Sequence, residues 1–239
     1  MSYEDGPVEA LSALADGEVI DLSQTLEEGM PVVPTHARYG HTLYESYERG
    51  DVACHYRLTL GEHTGTHMDA PLHFIAEGDA HYDIASIELG KLIGRAATID
   101  VADIERNTTV PVERIKQWEA EHGDLREGDR VLFRFNWDRH WAPGSAGTQY
   151  MADWPGLSGE AAEYLTDTGV SLVGCDTAAI DVAHDESFPA HYELLGNETY
   201  IVENLTALDA LPPFSLLITL PLKIEDGSGS PIRAVAIVD

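Results

Sequence analysis

Between residues 63 and 73, three histidines and an aspartate fall within eleven positions, His63-Thr-Gly-Thr-His67-Met-Asp69-Ala-Pro-Leu-His73, in a chain with 11 histidines in all. No other stretch constrains the fold as tightly. Imidazoles and a carboxylate at this density lose hydration and pack poorly unless a cation gathers them. Positions 63, 67, 69 and 73 share parity, so an extended chain would send all four side chains to one face. A straight strand would nevertheless hold His63 and His67 about 13 Å apart at roughly 3.3 Å per residue, whereas bonds to zinc are about 2 Å long. The chain must therefore curl, and Gly61, Gly65 and Pro71 are the residues that permit it. Gly65 between two threonines, and Pro71 downstream, argue against a helix. The expectation is a strand end running into a curled loop.

A histidine standing alone is more often a surface or satisfied polar residue than a ligand, and His36, His41, His81, His122 and His140 are read that way. The cluster is read as a metal site. Its order differs from the His-Glu-x-x-His of metalloproteases, and no Cys-x-x-Cys pair suggests a structural zinc knuckle. An open, catalytic site of nitrogen and oxygen donors is favoured over a closed structural one. Such donors accept zinc or manganese alike.

With 239 residues, 44% of them hydrophobic, the chain can bury the core of one large domain. Cys54 and Cys175 cannot build a disulfide framework and read as small buried residues. The N-terminus shows no secretory signal, and no apolar run approaches the roughly 18 residues of a membrane span, so a soluble, cytoplasmic protein is expected. Acidic residues number 42 against 14 basic ones, a formal charge of -28. Nucleic acid and anionic membranes are thereby poor partners. The carboxylates are spread along the chain rather than concentrated, and only Lys91, Lys116 and Lys223 are lysines. That pattern fits a halophilic protein whose self-repulsion is screened by concentrated salt.

Residues 1 to 18 read as an N-terminal extension with a short helix over 7–15, and residues 19 to 239 as one mixed α/β domain without repeats or linkers. Strands are expected over 19–22, 52–60, 96–101, 130–135, 170–173, 200–202, 216–220 and 234–238. The strand over 52–60 is expected to feed the cluster. Helices are expected over 84–92, 109–123, 158–168 and 189–196, the third opened by Ser158 and closed by Gly169. Residues 44–50 read as a connection. The long irregular stretch 136–156, with Trp137, Trp141, Tyr150 and Trp154, is either a wall of a substrate pocket or an aromatic anchor to the core. No Gly-x-Gly-x-x-Gly, phosphate loop or Gly-x-Ser-x-Gly elbow occurs, so neither a nucleotide cofactor nor a serine hydrolase is suggested.

The motif His63-Thr-Gly-Thr-His67-x-Asp69-x-Pro71-x-His73 resembles the signature of the metal-dependent cyclase family, which includes bacterial-type kynurenine formamidases and isatin hydrolases. Further similarity lies in Asp21-Leu-Ser, Met30-Pro, Gly174-Cys-Asp176-Thr-Ala-Ala-Ile-Asp181, Phe188-Pro-Ala-His191, Val202-Glu203-Asn204-Leu, Pro221-Leu-Lys223 and Ser230-Pro-Ile-Arg-Ala. The resemblance implies a swivelling β/β/α-type fold with a mixed sheet and peripheral helices. It also implies a homodimer or higher homo-oligomer, and one or two zinc or manganese ions per chain. It makes His63, His67, Asp69, His191 and Glu203 metal ligands, with Asp69 able to bridge two ions, and gives His73 the place of a catalytic acid/base. The expected activity is hydrolysis of an amide bond in a small-molecule substrate, first that of N-formylkynurenine. The aromatics of residues 136–156, or Tyr44 and Phe74, are expected to pack on its ring. Alternatives are a cyclic amide or other small carboxylic acid derivative, or a non-catalytic metal binder on the same scaffold; a histidine at position 73 favours the enzyme.

Overall fold

A computed structural model describes residues 17–239; the helix expected over 7–15 lies outside them. In chain order the strands are β1 (Glu18–Asp21), β2 (Gly40–Glu45), β3 (His55–Thr59), β4 (His67–Asp69), β5 (Ile93–Asp100), β6 (Thr109–Val110), β7 (Arg130–Arg134), β8 (Gly156–Leu157), β9 (Leu172–Cys175), β10 (Tyr200–Glu203), β11 (Phe214–Ile218), β12 (Gly229–Pro231) and β13 (Val235–Val238). The helices are α1 (Val112–His122), α2 (Gly159–Thr168) and α3 (Pro189–Gly196). One sheet of nine strands, in the order β1-β13-β11-β5-β7-β9-β10-β4-β12, carries the fold. Its centre, β5-β7-β9-β10, is parallel, and antiparallel strands flank it on both sides.

Central strands covered on both faces are apolar over their buried middles, with charged residues at their ends, and alternation sorts their side chains. Ala97, Ile99, Val131, Phe133, Val173 and Cys175 face the helices, where Ile115 and Trp118 of α1, Leu165 of α2 and Leu194 of α3 cover them. Ala96, Leu132, Leu172, Tyr200 and Val202 face the other way, under Leu22, Ile84, Leu92, Leu205 and Leu208. Each fully buried leucine or isoleucine in these layers contributes about 1.5–3 kcal/mol of transfer free energy. The result is the single mixed α/β layer structure that the sequence led us to expect.

Local signals placed some elements well. Ser158 Oγ accepts a hydrogen bond from Ala161 N (3.1 Å) and Gly169 takes the left-handed conformation (φ 79°), so α2 begins and ends where expected. Other elements differ. Thr109 does not cap α1; it pairs with Gly156 in the short β6-β8 ladder, and the helix starts after Pro111. Residues 84–92 form two separate 3-10 turns, Ile84–Ser86 and Leu89–Leu92, because Ile87 and Glu88 between them are extended (ψ 133° and 115°). The strand expected over 52–60 is shorter, and it pairs with β2, itself not anticipated, in a separate hairpin. All five residues of β3 are exposed. The stretch expected to carry the metal ligands enters the main sheet on its own account as β4.

Candidate metal centre

The curl expected in the cluster precedes the strand instead of following it. Gly65 sits at φ 63°, and a Cβ there would lie 2.5 Å from Leu26 Cδ2, so the bend requires glycine. The chain then straightens into β4, which pairs with β10 so that His67 stands opposite Glu203 and Asp69 opposite Ile201. Paired residues share a face. His67, Asp69 and Glu203 therefore project together toward the helical side, where α3 brings in His191 and the curl brings in His63.

The five side chains form two overlapping triads, His63/His67/Asp69 and Asp69/His191/Glu203, each with its donor atoms within 4.8 Å of one another. Asp69 belongs to both. His63 Nδ1 lies 2.7 Å from Asp69 Oδ1, and His67 Nε2 lies 3.4 Å from the same oxygen and 3.5 Å from Glu203 Oε2. His191 Nε2 lies 3.5 Å from Asp69 Oδ2 and 3.3 Å from Glu203 Oε1. Asp69 is 1% exposed, yet its Oδ2 has no hydrogen-bond partner among the described residues. A buried carboxylate oxygen left this way lacks the compensation that burial demands, and a cation would supply it.

Each imidazole is anchored through its far nitrogen. His67 Nδ1 donates to the Gly65 carbonyl (2.8 Å) and His191 Nδ1 to Asp181 Oδ2 (2.6 Å); a carbonyl and a carboxylate can only accept, which fixes these protons on Nδ1. His63 Nε2 donates to Ser228 Oγ (3.0 Å), which donates to Glu62 Oε2 (2.6 Å). With Nδ1 so held, the Nε2 atoms of His67 and His191, which face the carboxylates, can turn lone pairs to a metal. Asp181 also accepts from Ala190 N (2.8 Å) and His191 N (3.1 Å), capping α3, whose own preceding residue Phe188 has no capping side chain.

The electrostatics agree with a missing positive charge. Burial pushes the pKa of His67 and His191 down, but hydrogen bonds and charge from Asp69, Glu203 and, for His191, Asp181 outweigh it and raise both. Burial also raises Asp69, yet His63, His191 and His67 hold it well below the usual carboxylate range. The same carboxylates would favour any positive charge placed between the triads. The donor set fits a divalent metal, with one triad or both available.

His73 ends a 3-10 turn, Pro71–His73, and its ring stacks on that of His63 at 3.9 Å. Burial lowers its pKa to about 4, so it is neutral near pH 7. Above the triads opens a cavity of about 290 Å³ lined by His73, Phe74, Phe188, Met151, Ala178, Ala179 and the loop residues Pro31, Val32, Val33, Thr35 and His36. His36, read as a surface histidine, thus belongs to the site. Phe74 is on the cavity wall as expected, but Tyr44 is 65% exposed on the hairpin and away from it. Of residues 136–156 only Met151 reaches the cavity. Trp137 and Tyr150 are buried in the core, with Trp137 Nε1 donating to Tyr150 O (3.0 Å), and Trp154 Nε1 donates to Asp181 O (2.9 Å), so the aromatics of this stretch anchor it. Asp181 lies in a motif that carried the resemblance, but its role, like those of Ser228 and Glu62, emerges only from the spatial arrangement.

A family model described as putative cyclase matches residues 20–182. A kynurenine formamidase of Erythrobacter litoralis is 32% identical over 215 residues, covering 90% of this chain and 91% of the relative. Isatin hydrolase A from Ralstonia solanacearum superposes with a TM-score of 0.90 over the full length of both chains, at 29% identity. A structure described as a predicted metal-dependent hydrolase from Bacillus stearothermophilus gives a TM-score of 0.72 at 26% identity, covering 92% of this chain and 98% of the other.

Proposed function

The chain belongs to the putative cyclase family and is a metal-dependent hydrolase of amide bonds; we propose that it acts as an arylformamidase, converting N-formylkynurenine to kynurenine and formate. The observation that carries this reading is the pair of triads sharing Asp69, whose Oδ2 is buried and unpartnered, at the floor of a cavity bearing Phe74 and Phe188. His63, His67, Asp69, His191 and Glu203 are assigned as ligands, with Asp69 as the bridge where two ions bind. Zinc or manganese suits these nitrogen and oxygen donors.

A bound divalent ion supplies Lewis acidity, polarising the amide carbonyl and acidifying water. The chain's own residues do the rest. Phe74 and Phe188 offer ring faces to the aryl group and exclude solvent from the cavity. His73, neutral because it is buried, takes a proton onto a free ring nitrogen and returns it to the departing amine. Its stacking on His63 holds it beside the triads, and among the described residues neither ring nitrogen is used in a hydrogen bond.

A cyclic amide such as isatin is the second reading, favoured by one observation. The cavity lining among the described residues contains no Lys or Arg, and its one carboxylate, Glu203, belongs to a triad. The charged amino-acid head of N-formylkynurenine finds no ionic partner there, whereas a neutral bicyclic amide needs none.

The same reading takes the protein as a cytoplasmic homo-oligomer of a halophilic source. No helix among the described residues is long and apolar enough to cross a membrane. Tyr44, Tyr47, Tyr56 and Leu58 on the β2-β3 hairpin offer exposed apolar surface for self-association. The charge of -28 suits concentrated salt.

The test is elemental analysis of protein purified in concentrated salt without chelator, for wild type and Asp69→Ala, followed by hydrolysis of N-formylkynurenine and isatin. Near-stoichiometric zinc or manganese in wild type only, with turnover of the formamide, supports the first reading. Turnover of isatin alone moves the assignment to the second. Absence of metal in wild type even after reconstitution refutes both.

A further inference from the structure

The loop that leads into the hairpin forms one wall of the cavity and is firmly held. Met30 is buried, Gly144 N donates to Gly29 O (2.8 Å), and His36 N donates to Val33 O (2.9 Å). Pro31 and Pro34 restrict φ on either side of the two valines. The His36 ring, half-buried, is thereby fixed over the metal centre, 5.7 Å from the ring of His63 and tilted by 42°.

Neither ring nitrogen of His36 has a hydrogen-bond partner among the described residues. Val32, Val33, Phe74, Met151 and Phe188 supply the apolar part of the same cavity lining. A neutral imidazole presents one N–H donor and one acceptor. His73, stacked flat on His63 at 3.9 Å, occupies a different place and has a different task. A half-buried imidazole facing the cavity, with both ring nitrogens free of protein partners among the described residues, is available to a ligand that enters it.

We propose that His36 is a substrate-binding residue. It donates its ring N–H to a second acceptor, a carbonyl or carboxylate oxygen, carried on the aryl group beside the scissile amide. The 5.7 Å between its ring and that of His63 places this acceptor a few bonds from the carbonyl that reacts. His36 therefore selects ortho-acyl aryl amides over simple ones. The inference rests on amide hydrolysis at this same site.

The test uses full-length, metal-loaded protein and two formamides: formanilide, and 2-formamidoacetophenone, which adds an ortho ketone. The ketone also alters the leaving group, so the diagnostic quantity is the change in substrate preference between wild type and variant. His36→Phe is expected to lower kcat/KM for the ketone roughly tenfold, the value of one ordinary hydrogen bond, and to leave formanilide within about twofold. His36→Gln, which keeps a donor, recovers part of the loss. A preference that survives in His36→Phe overturns the proposal; so does an equal loss on both substrates, which marks a packing role. Calorimetric binding of the products, 2-aminoacetophenone and aniline, supplies a readout free of turnover. A binding preference lost in His36→Phe supports the proposal even where neither formamide is cleaved, and that failure of cleavage would count against the formamidase reading instead. No binding preference in wild type overturns the proposal.

Discussion

Replacing Asp181 by Asn tests whether the centre is built to hold His191 as a ligand. The carboxylate is 2% exposed and accepts three hydrogen bonds, from Ala190 N (2.8 Å), His191 N (3.1 Å) and His191 Nδ1 (2.6 Å). An amide has one acceptor oxygen. With that oxygen in the place of Oδ2, both His191 donors remain served and the NH2 group meets Ala190 N–H. One buried donor is orphaned, which costs about 2 kcal/mol. For a chain of this length that lowers Tm by roughly 4–8 °C. The imidazole keeps its tautomer but loses the negative charge that makes Nε2 basic, and metal affinity is expected to fall about 10- to 100-fold. Competition with a chromogenic zinc chelator measures the affinity, and scanning calorimetry of the metal-free protein measures the stability separately. A depressed Tm with wild-type affinity would refute the reasoning, because Asp181 would then serve only as the cap of α3. Asp181→Ala, which orphans all three donors, is expected to lose on the order of 3–5 kcal/mol.

Three further outcomes are expected. His73→Ala should retain metal by elemental analysis while turnover drops about 10²- to 10⁴-fold; loss of metal would move His73 into the ligand set. Asp176 accepts from Phe135 N and Trp137 N, but burial dominates and raises its pKa to about 7. A folded-state pKa above the ordinary value of 3.8 favours the neutral carboxyl, so the stability it confers is full below pH 3.8 and is lost as pH rises through 7. That loss is at most about 4 kcal/mol, and denaturation of Asp176→Asn should show a flatter pH dependence between 4 and 7. Gly65→Ala places a Cβ 2.5 Å from Leu26 Cδ2 at a φ of 63°, and should cost about 1–3 kcal/mol. Leu26→Ala in the same chain should recover the steric part, with unfolding by denaturant as the measure.

Much of the scaffold was readable because its signals are local. Ser158 and Gly169 bound α2 through their own backbone bonds, and the apolar runs of β5, β7 and β9 follow from burial on both faces. Short elements held by distant partners were not readable: β12 exists because β4 lies beside it, and the turn at Ile84 is tied to Gly227, far along the chain. The same division runs through the site. The density of ligand-type side chains from His63 to Asp69 was visible without any structure, and so was the need for a bend at Gly65. His191 and Glu203 entered only through resemblance. His36 was misread because a lone histidine in a loop carries no periodicity and no neighbour in sequence.

The sequence by itself determined that ligand-type side chains would gather over residues 63–73 with a bend at Gly65, that the chain would fold as one mixed α/β domain, and that its surface would be strongly acidic. These follow from spacing, dihedral freedom and composition, which are properties of neighbouring residues. Only the tertiary structure decided that the curl comes before the strand and that Glu203 stands opposite His67. It alone set Asp181 and Ser228 behind the imidazoles and turned His36 into the cavity. The reason is that ladder register and the packing of α3 bring together residues more than a hundred positions apart, and no local preference encodes that distance.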